Sequence, residues 1–238
     1  MKLINDHLAV KARVLPTTGD GFVVLAGEVG AWRGHFPSSP ARLAARLKTL
    51  AADIQAREVN VFRALFRTPG EGDELLAARG IHPARYDIVV LIRTASVESA
   101  LGVCDSPAYK ELAETLRAAA RRTHQIVAHN AGRLGDVDHG QDHYFLFNYF
   151  YADDRDTLLQ VWEYTAGWFQ AKTALPDSAL MQPLEGEPAD YGLINHASWP
   201  TLRTFLPSLI FRPTFRSFVL ANFKANGVAA QPIIYRRV

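Results

Sequence analysis

Two short stretches of this chain recur in the same order, and that recurrence limits the possible folds more than any other feature. Leu91-Ile92-Arg93-Thr94-Ala95-Ser96 returns as Leu193-Ile194-Asn195-His196-Ala197-Ser198, with four of six residues identical at an offset of 102. Ser106-Pro107-Ala108-Tyr109-Lys110 is paralleled by Arg212-Pro213-Thr214-Phe215-Arg216 at an offset of 106. The change of four between the offsets corresponds to about one extra helical turn in the second copy.

The elements around these matches fall into the same sequence twice. Strand-like runs rich in β-branched and aromatic residues cover 22–29, 59–66, 86–94 and 124–128, then 143–151, 179–184, 191–197 and 232–236. A further strand candidate, 8–15, precedes the first unit. Ser38-Ser39-Pro40 predicts a helix start by N-cap and proline, followed by Leu43, Leu47, Leu50 and Ile54 on one face. Asp105-Ser106-Pro107 predicts a second, with Tyr109, Leu112 and Leu116. Asp153-Asp154 precede a third, whose stripe holds Leu158, Val161, Trp162, Thr165, Trp168 and Phe169. Ser198 and Pro200 open a fourth, which Pro207 and Pro213 are expected to break. Each half therefore reads strand, helix, strand, strand, helix, strand. The segment 68–83 reads as a long connection with a helical turn at Glu74-Leu75-Leu76-Ala77. The glycine-bearing segment 130–142 reads as the loop between units, giving residues 1–130 and 131–238.

A four-stranded βαββαβ sheet carries both helices on one face and leaves the other bare. In 143–151 the alternation puts Phe145, Phe147, Tyr149 and Tyr151 on one side and Tyr144, Leu146, Asn148 and Phe150 on the other. Both sides are apolar, so the bare face must be covered, and the sister unit is the expected cover. The fold class is α+β: two tandem ferredoxin-like units pairing their antiparallel sheets into a barrel.

Composition narrows the function classes. A net charge of +2 and the absence of a basic stripe argue against nucleic acid. No run of 18 apolar residues exists, and Asp6 and His7 interrupt any leader-like start, so the expectation is a cytoplasmic protein without a membrane span. The single cysteine, Cys104, sits in Leu101-Gly102-Val103-Cys104 and reads as a small buried thiol, not a nucleophile.

At residue level the strand ending in Asn195-His196-Ala197-Ser198-Trp199, the helix with Arg212-Pro213-Thr214-Phe215 and the closing Ile233-Ile234-Tyr235-Arg236 resemble the dimeric α+β barrel superfamily, in particular antibiotic-biosynthesis-monooxygenase-like and stress-responsive barrels. The resemblance implies a barrel cavity for a small aromatic-type molecule, acted on by cofactor-independent oxygenation or isomerisation. A non-catalytic ligand-binding or oligomerising barrel is the alternative, and a haem protein the third.

His196 is the candidate catalytic base, since imidazole titrates near neutrality. Asn148, Tyr151, Asn195 and Trp199 are the candidate substrate-binding residues. Alternation places Asn195 and His196 on opposite faces, so only one of them can look into the barrel. Trp162, Tyr164 and Trp168 read as core that could wall an aromatic pocket. Asp136, Asp138, His139, Asp142 and His143 read as a solvated linker without metal spacing. No metal or cofactor is expected: haem needs a proximal ligand, and the third helix has no histidine. A small-molecule ligand is expected as partner. Phe205, Phe211 and Phe223 are expected on outer helix faces, which would leave room for a homodimer.

Overall fold

Eight strands carry the alternation read above, and their hydrogen bonds close on themselves. They are β1 (Gly21–Glu28), β2 (Glu58–Arg67), β3 (Ile88–Thr94), β4 (Arg122–Gly135), β5 (Tyr144–Tyr151), β6 (Asp177–Pro183), β7 (Leu193–Trp199) and β8 (Ala229–Arg237). The computed structural model describes every residue of the chain except 39 and 188. The barrel order is β4-β1-β3-β2-β8-β5-β7-β6, returning to β4, with every pair antiparallel. Each half thus forms one ferredoxin-like sheet in the order fourth, first, third, second strand. The sheets join at two seams, β2 with β8 and β4 with β6. Leu91 and Leu193, which open the repeated hexapeptide, lie on β3 and β7, the matching strands of the two units.

The inner faces of both sheets meet in one aromatic core that includes Phe22, Phe62, Phe145, Phe147, Tyr149 and Tyr235. Burying each such ring stabilises the fold by roughly 1.5–3 kcal/mol. The outer face of the first sheet is covered by α1 (Ala41–Ala51), α3 (Val97–Asp105) and α4 (Pro107–Ala119), through Leu47, Val103, Leu112 and Leu116. The second is covered by α5 (Arg155–Thr173), α6 (Leu202–Phe211), a π-helical segment Phe215–Leu220 and α7 (Ala221–Ala225), following α2 (Asp73–Ala78) in the numbering. Val161, Trp162, Phe205 and Phe218 supply much of that layer.

Local signals explain several helix starts. The Ser106 hydroxyl accepts from the Tyr109 amide at 3.2 Å with Pro107 as the first helical residue of α4. Asp154 accepts from the amides of Asp156 and Thr157 at the start of α5. Other expectations are corrected. Ser38 does not cap α1: its hydroxyl is bonded to Ala31 in the preceding turn, and Pro40 sits at the N-cap. Ser39 lies outside the described residues. Helix α3, capped by Ser96, was not anticipated, because its short apolar run lacked a proline start. Ser198 is a strand residue, α6 begins only at Leu202, and Pro207 is carried inside it.

Two further corrections follow from barrel closure. The segment 8–15 is not a strand: a closed barrel offers no free edge. It contributes a 3₁₀ turn (Asp6–Leu8) and one bridge, Leu15 to Arg133, and otherwise lies over α5. The segment 130–142, read as a loop, is strand up to Gly135. Its glycines mark register shifts between Asn130 and Gly132 and between Arg133 and Gly135, bulges that bend β4 along the seam.

Candidate functional site

The second sheet does not meet its helices in continuous packing. Between the outer faces of β5, β7 and β8 and the helices α5 and α6 lies a cavity of about 670 Å³ including its mouth. The space suits a compound of no more than one ring. Trp162, Phe169, Trp199, Phe205 and Phe215 wall it, and Thr68 to Gly70 reach it from the first unit beside the β2–β8 seam.

The polar groups in the wall divide sharply. Asn195, on β7, is satisfied: its Oδ1 accepts from Trp162 Nε1 at 3.1 Å and from Ser178 Oγ at 2.5 Å. Trp199 donates through Nε1 to Thr173 Oγ1 at 3.3 Å, and its ring lies 4.6 Å from that of Phe205. Asn148, on β5, is not satisfied: its Oδ1 is buried with no hydrogen-bond partner among the described residues. Leaving such an acceptor unpaired costs about 1–3 kcal/mol. β5 presents Asn148 on the outer face because Phe147 and Tyr149, its neighbours, turn inward.

Three of the five expected site residues, Asn148, Asn195 and Trp199, therefore line one cavity. The other two do not. Tyr151 lies on the inner face near the barrel end, and its hydroxyl donates to Asp153 at 2.7 Å. His196 is fully enclosed in the barrel, its ring 4.2 Å from that of Phe147. Its Nδ1–H donates to the Leu146 carbonyl at 2.9 Å, and its Nε2 meets His139 Nε2 at 2.9 Å. Burial first, and His139 second, hold its pKa well below the ordinary value.

The remaining candidates have structural partners. Asp136 pairs with Arg133, Asp142 with Arg236, and His143 Nδ1 with the Ser198 hydroxyl. Among the described residues no three of His, Cys, Asp and Glu converge as a metal site. Cys104 is half-buried, and burial pushes its thiol up to about 11, so the thiolate is disfavoured. Trp168 is core, donating to Thr214, while Tyr164 lies beneath the Lys11 ammonium. Phe205 and Phe223 are buried in the helix layer; of the three outer phenylalanines only Phe211 is exposed, at 78%. Haem does not fit this cavity: none of its lining residues is a His, Cys, Met or Tyr that could serve as axial ligand, and His196 faces the other side with both nitrogens engaged.

What the sequence reading missed comes mostly from far away in the chain. Ser178 and Thr68 reach the cavity through strand pairing and a seam between units, and nothing local marks them. Glu58, which bonds His139, likewise gives no signal.

No protein-family model and no curated protein matches the sequence. Among solved structures the chain is similar to an anthrone oxidase-like protein, with TM-score 0.62, 11% identity, and coverage of 96% of this chain and 94% of that one. It is also similar to a candidate monooxygenase from Lactobacillus acidophilus (TM-score 0.51, 6% identity, 92% and 94% covered). A third, from Fusobacterium nucleatum, gives 0.52, 8%, and 92% and 95%. At these identities the likeness is one of fold, and one fold hosts many functions. The chain shares the fold of these structures, two ferredoxin-like units of one polypeptide closing a single eight-stranded α+β barrel. No helix of the described residues is long and apolar enough to cross a membrane.

Proposed function

We propose that this chain binds a small, neutral, flat and largely apolar ring compound in the cavity between the second sheet and its helices, with Asn148 as the polar handle. The observation that carries the reading is the buried Oδ1 of Asn148, without a protein hydrogen-bond partner among the described residues, in a wall of indole and phenyl rings. A hydroxyl or N–H on the ligand would satisfy it. Neutrality follows from the lining, in which no described residue is ionisable, so a charged ligand would lose its hydration without gaining a counter-charge.

A second reading, oxygenation of the bound ring, is favoured by the same low polarity, which suits dioxygen as well as an apolar substrate. Conversion of a ring CH₂ to C=O would consume one O₂ and release one water, as the name of the anthrone oxidase-like relative suggests. Isomerisation by proton transfer has less support, because no side chain in the wall could act as base; His196 faces the barrel interior. A homodimer would have to use exposed apolar residues such as Ile210 and Phe211.

Titration with 4-bromophenol, followed by the fluorescence of Trp162 and Trp199, tests the binding reading. Wild-type protein should show saturable quenching, and Asn148→Leu should weaken it about tenfold or more, the effect of losing about 1.4 kcal/mol. Equal affinity in the two proteins would remove Asn148 from the site. Dioxygen uptake with a one-ring substrate that carries a ring CH₂ tests the second reading separately.

A further inference from the structure

At one end of the barrel, Glu58 of β2, His139 of the segment between β4 and β5, and His196 of β7 meet in a line. Glu58 Oε2 lies 2.8 Å from His139 Nδ1, and His139 Nε2 lies 2.9 Å from His196 Nε2. The two imidazoles meet end to end through nitrogen: their planes differ by 15° and their centroids are 5.2 Å apart. His139 is otherwise boxed by Phe62 and Phe145.

The donors along this line can be assigned by elimination. The Leu146 carbonyl can only accept, so His196 carries its proton on Nδ1 and offers a lone pair at Nε2. His139 must then donate from its own Nε2. Glu58, whose carboxyl the His139 bond holds below the ordinary range, accepts from His139 Nδ1. In that assignment His139 donates from both ring nitrogens, to the Glu58 carboxylate and to the neutral imidazole of His196.

His139 belongs to the segment 136–143, which crosses the barrel end. Val137, from the same segment, is buried in the inner core. Other anchors hold it: Asp136 on Arg133 and Arg93, Asp142 on Arg236, and His143 on Ser198, whose hydroxyl donates to Asp177. The charged groups around His139 are Glu58, Arg93, Arg133, Asp136, Asp138 and Arg237, with Asp20 acting on Glu58.

We propose that residues 136–143 form a strap over this barrel end, kept closed by the proton that His139 holds between Glu58 and His196. Removing that proton leaves one of the two bonds without a donor. Protonating Glu58 removes its charge and frees the other end of the line. Because His139 holds the Glu58 carboxyl low, the acid-side opening comes only below the ordinary carboxylate range. His196 does not compete for the proton, since burial keeps it neutral. Opening would uncover the barrel end around His196 and Met181, which is separate from the Asn148 cavity.

Hydrogen exchange and ring NMR on the full chain test this. At pH 7 the side-chain nitrogen spectrum should show His139 protonated on both nitrogens and His196 on Nδ1 alone. Amide protection across 136–143 should fall at least tenfold in His139→Gln and in Glu58→Gln, with β3 unchanged. His143→Ala, which removes a different anchor, should keep the dependence on Glu58. A neutral His139 ring, or unchanged protection in His139→Gln, would overturn the proposal. Should the variants fail to fold, the ring spectrum of the wild type decides alone.

Discussion

Asn195 and His196 are consecutive on β7 yet serve opposite sides of the barrel wall: Asn195 accepts from Trp162 beneath α5, while His196 lies against Phe147 in the barrel interior. Strand alternation demands this division. It separates an aromatic cavity from a polar line of imidazoles.

The same substitution should have opposite effects at the two asparagines of the cavity. Asn195→Leu leaves Trp162 Nε1 and Ser178 Oγ without their shared acceptor and should cost about 2–4 kcal/mol. Asn148→Leu removes a buried acceptor that has no partner and should stabilise the ligand-free protein by about 1 kcal/mol. Urea unfolding of the two variants checks the pair. Equal destabilisation would mean that Asn148 is bonded after all.

Acid should weaken the fold before ordinary carboxylates titrate. Burial lowers His124 from 6.5 to about 4, and His196 shifts in the same direction. The unfolded chain takes up protons as the pH falls through about 6.5, and the folded chain does not. Stability is therefore full above that pH and declines toward pH 4, by an amount on the order of 3 kcal/mol from His124. Unfolding free energies at pH 7 and pH 4.5 should differ accordingly, and His124→Phe should flatten part of the slope. A flat profile in the wild type would contradict the burial of these rings as neutral groups.

The N-terminal segment touches α5 so closely at Gly167 that a Cβ there would lie 1.9 Å from the Val10 carbonyl oxygen. Gly167→Ala should lift this segment, cost about 1–3 kcal/mol, and speed proteolysis before residue 15. Limited proteolysis of wild type and variant side by side would show it; identical rates would mean the segment is not seated on α5.

Much of the barrel was legible because its causes are local or periodic. The hexapeptides at Leu91 and Leu193 sit on matched strands, and the two-sided apolar pattern of 143–151 required a covered inner face. The misreadings have long-range causes. Gly132 and Gly135 read as loop because a bulge and a turn look alike until a partner strand is known. Residues 8–15 read as strand because nothing in the chain announces that the barrel leaves no edge. Asn148, Asn195 and Trp199 stand out by their chemistry within apolar strands, and the fold brings them to one cavity wall, on the side away from His196. Ser178, the partner of Asn195, and Glu58, the partner of His139, are fixed only by tertiary pairing.

The most direct test of the ligand cavity is a crystal soaked with 4-bromophenol, in which the anomalous signal of bromine locates the ring. The account places the bromine between Trp162, Trp199 and Phe215, with the phenol hydroxyl donating to Asn148 Oδ1. Bromine inside the barrel, on the surface, or nowhere at saturating concentration would contradict it.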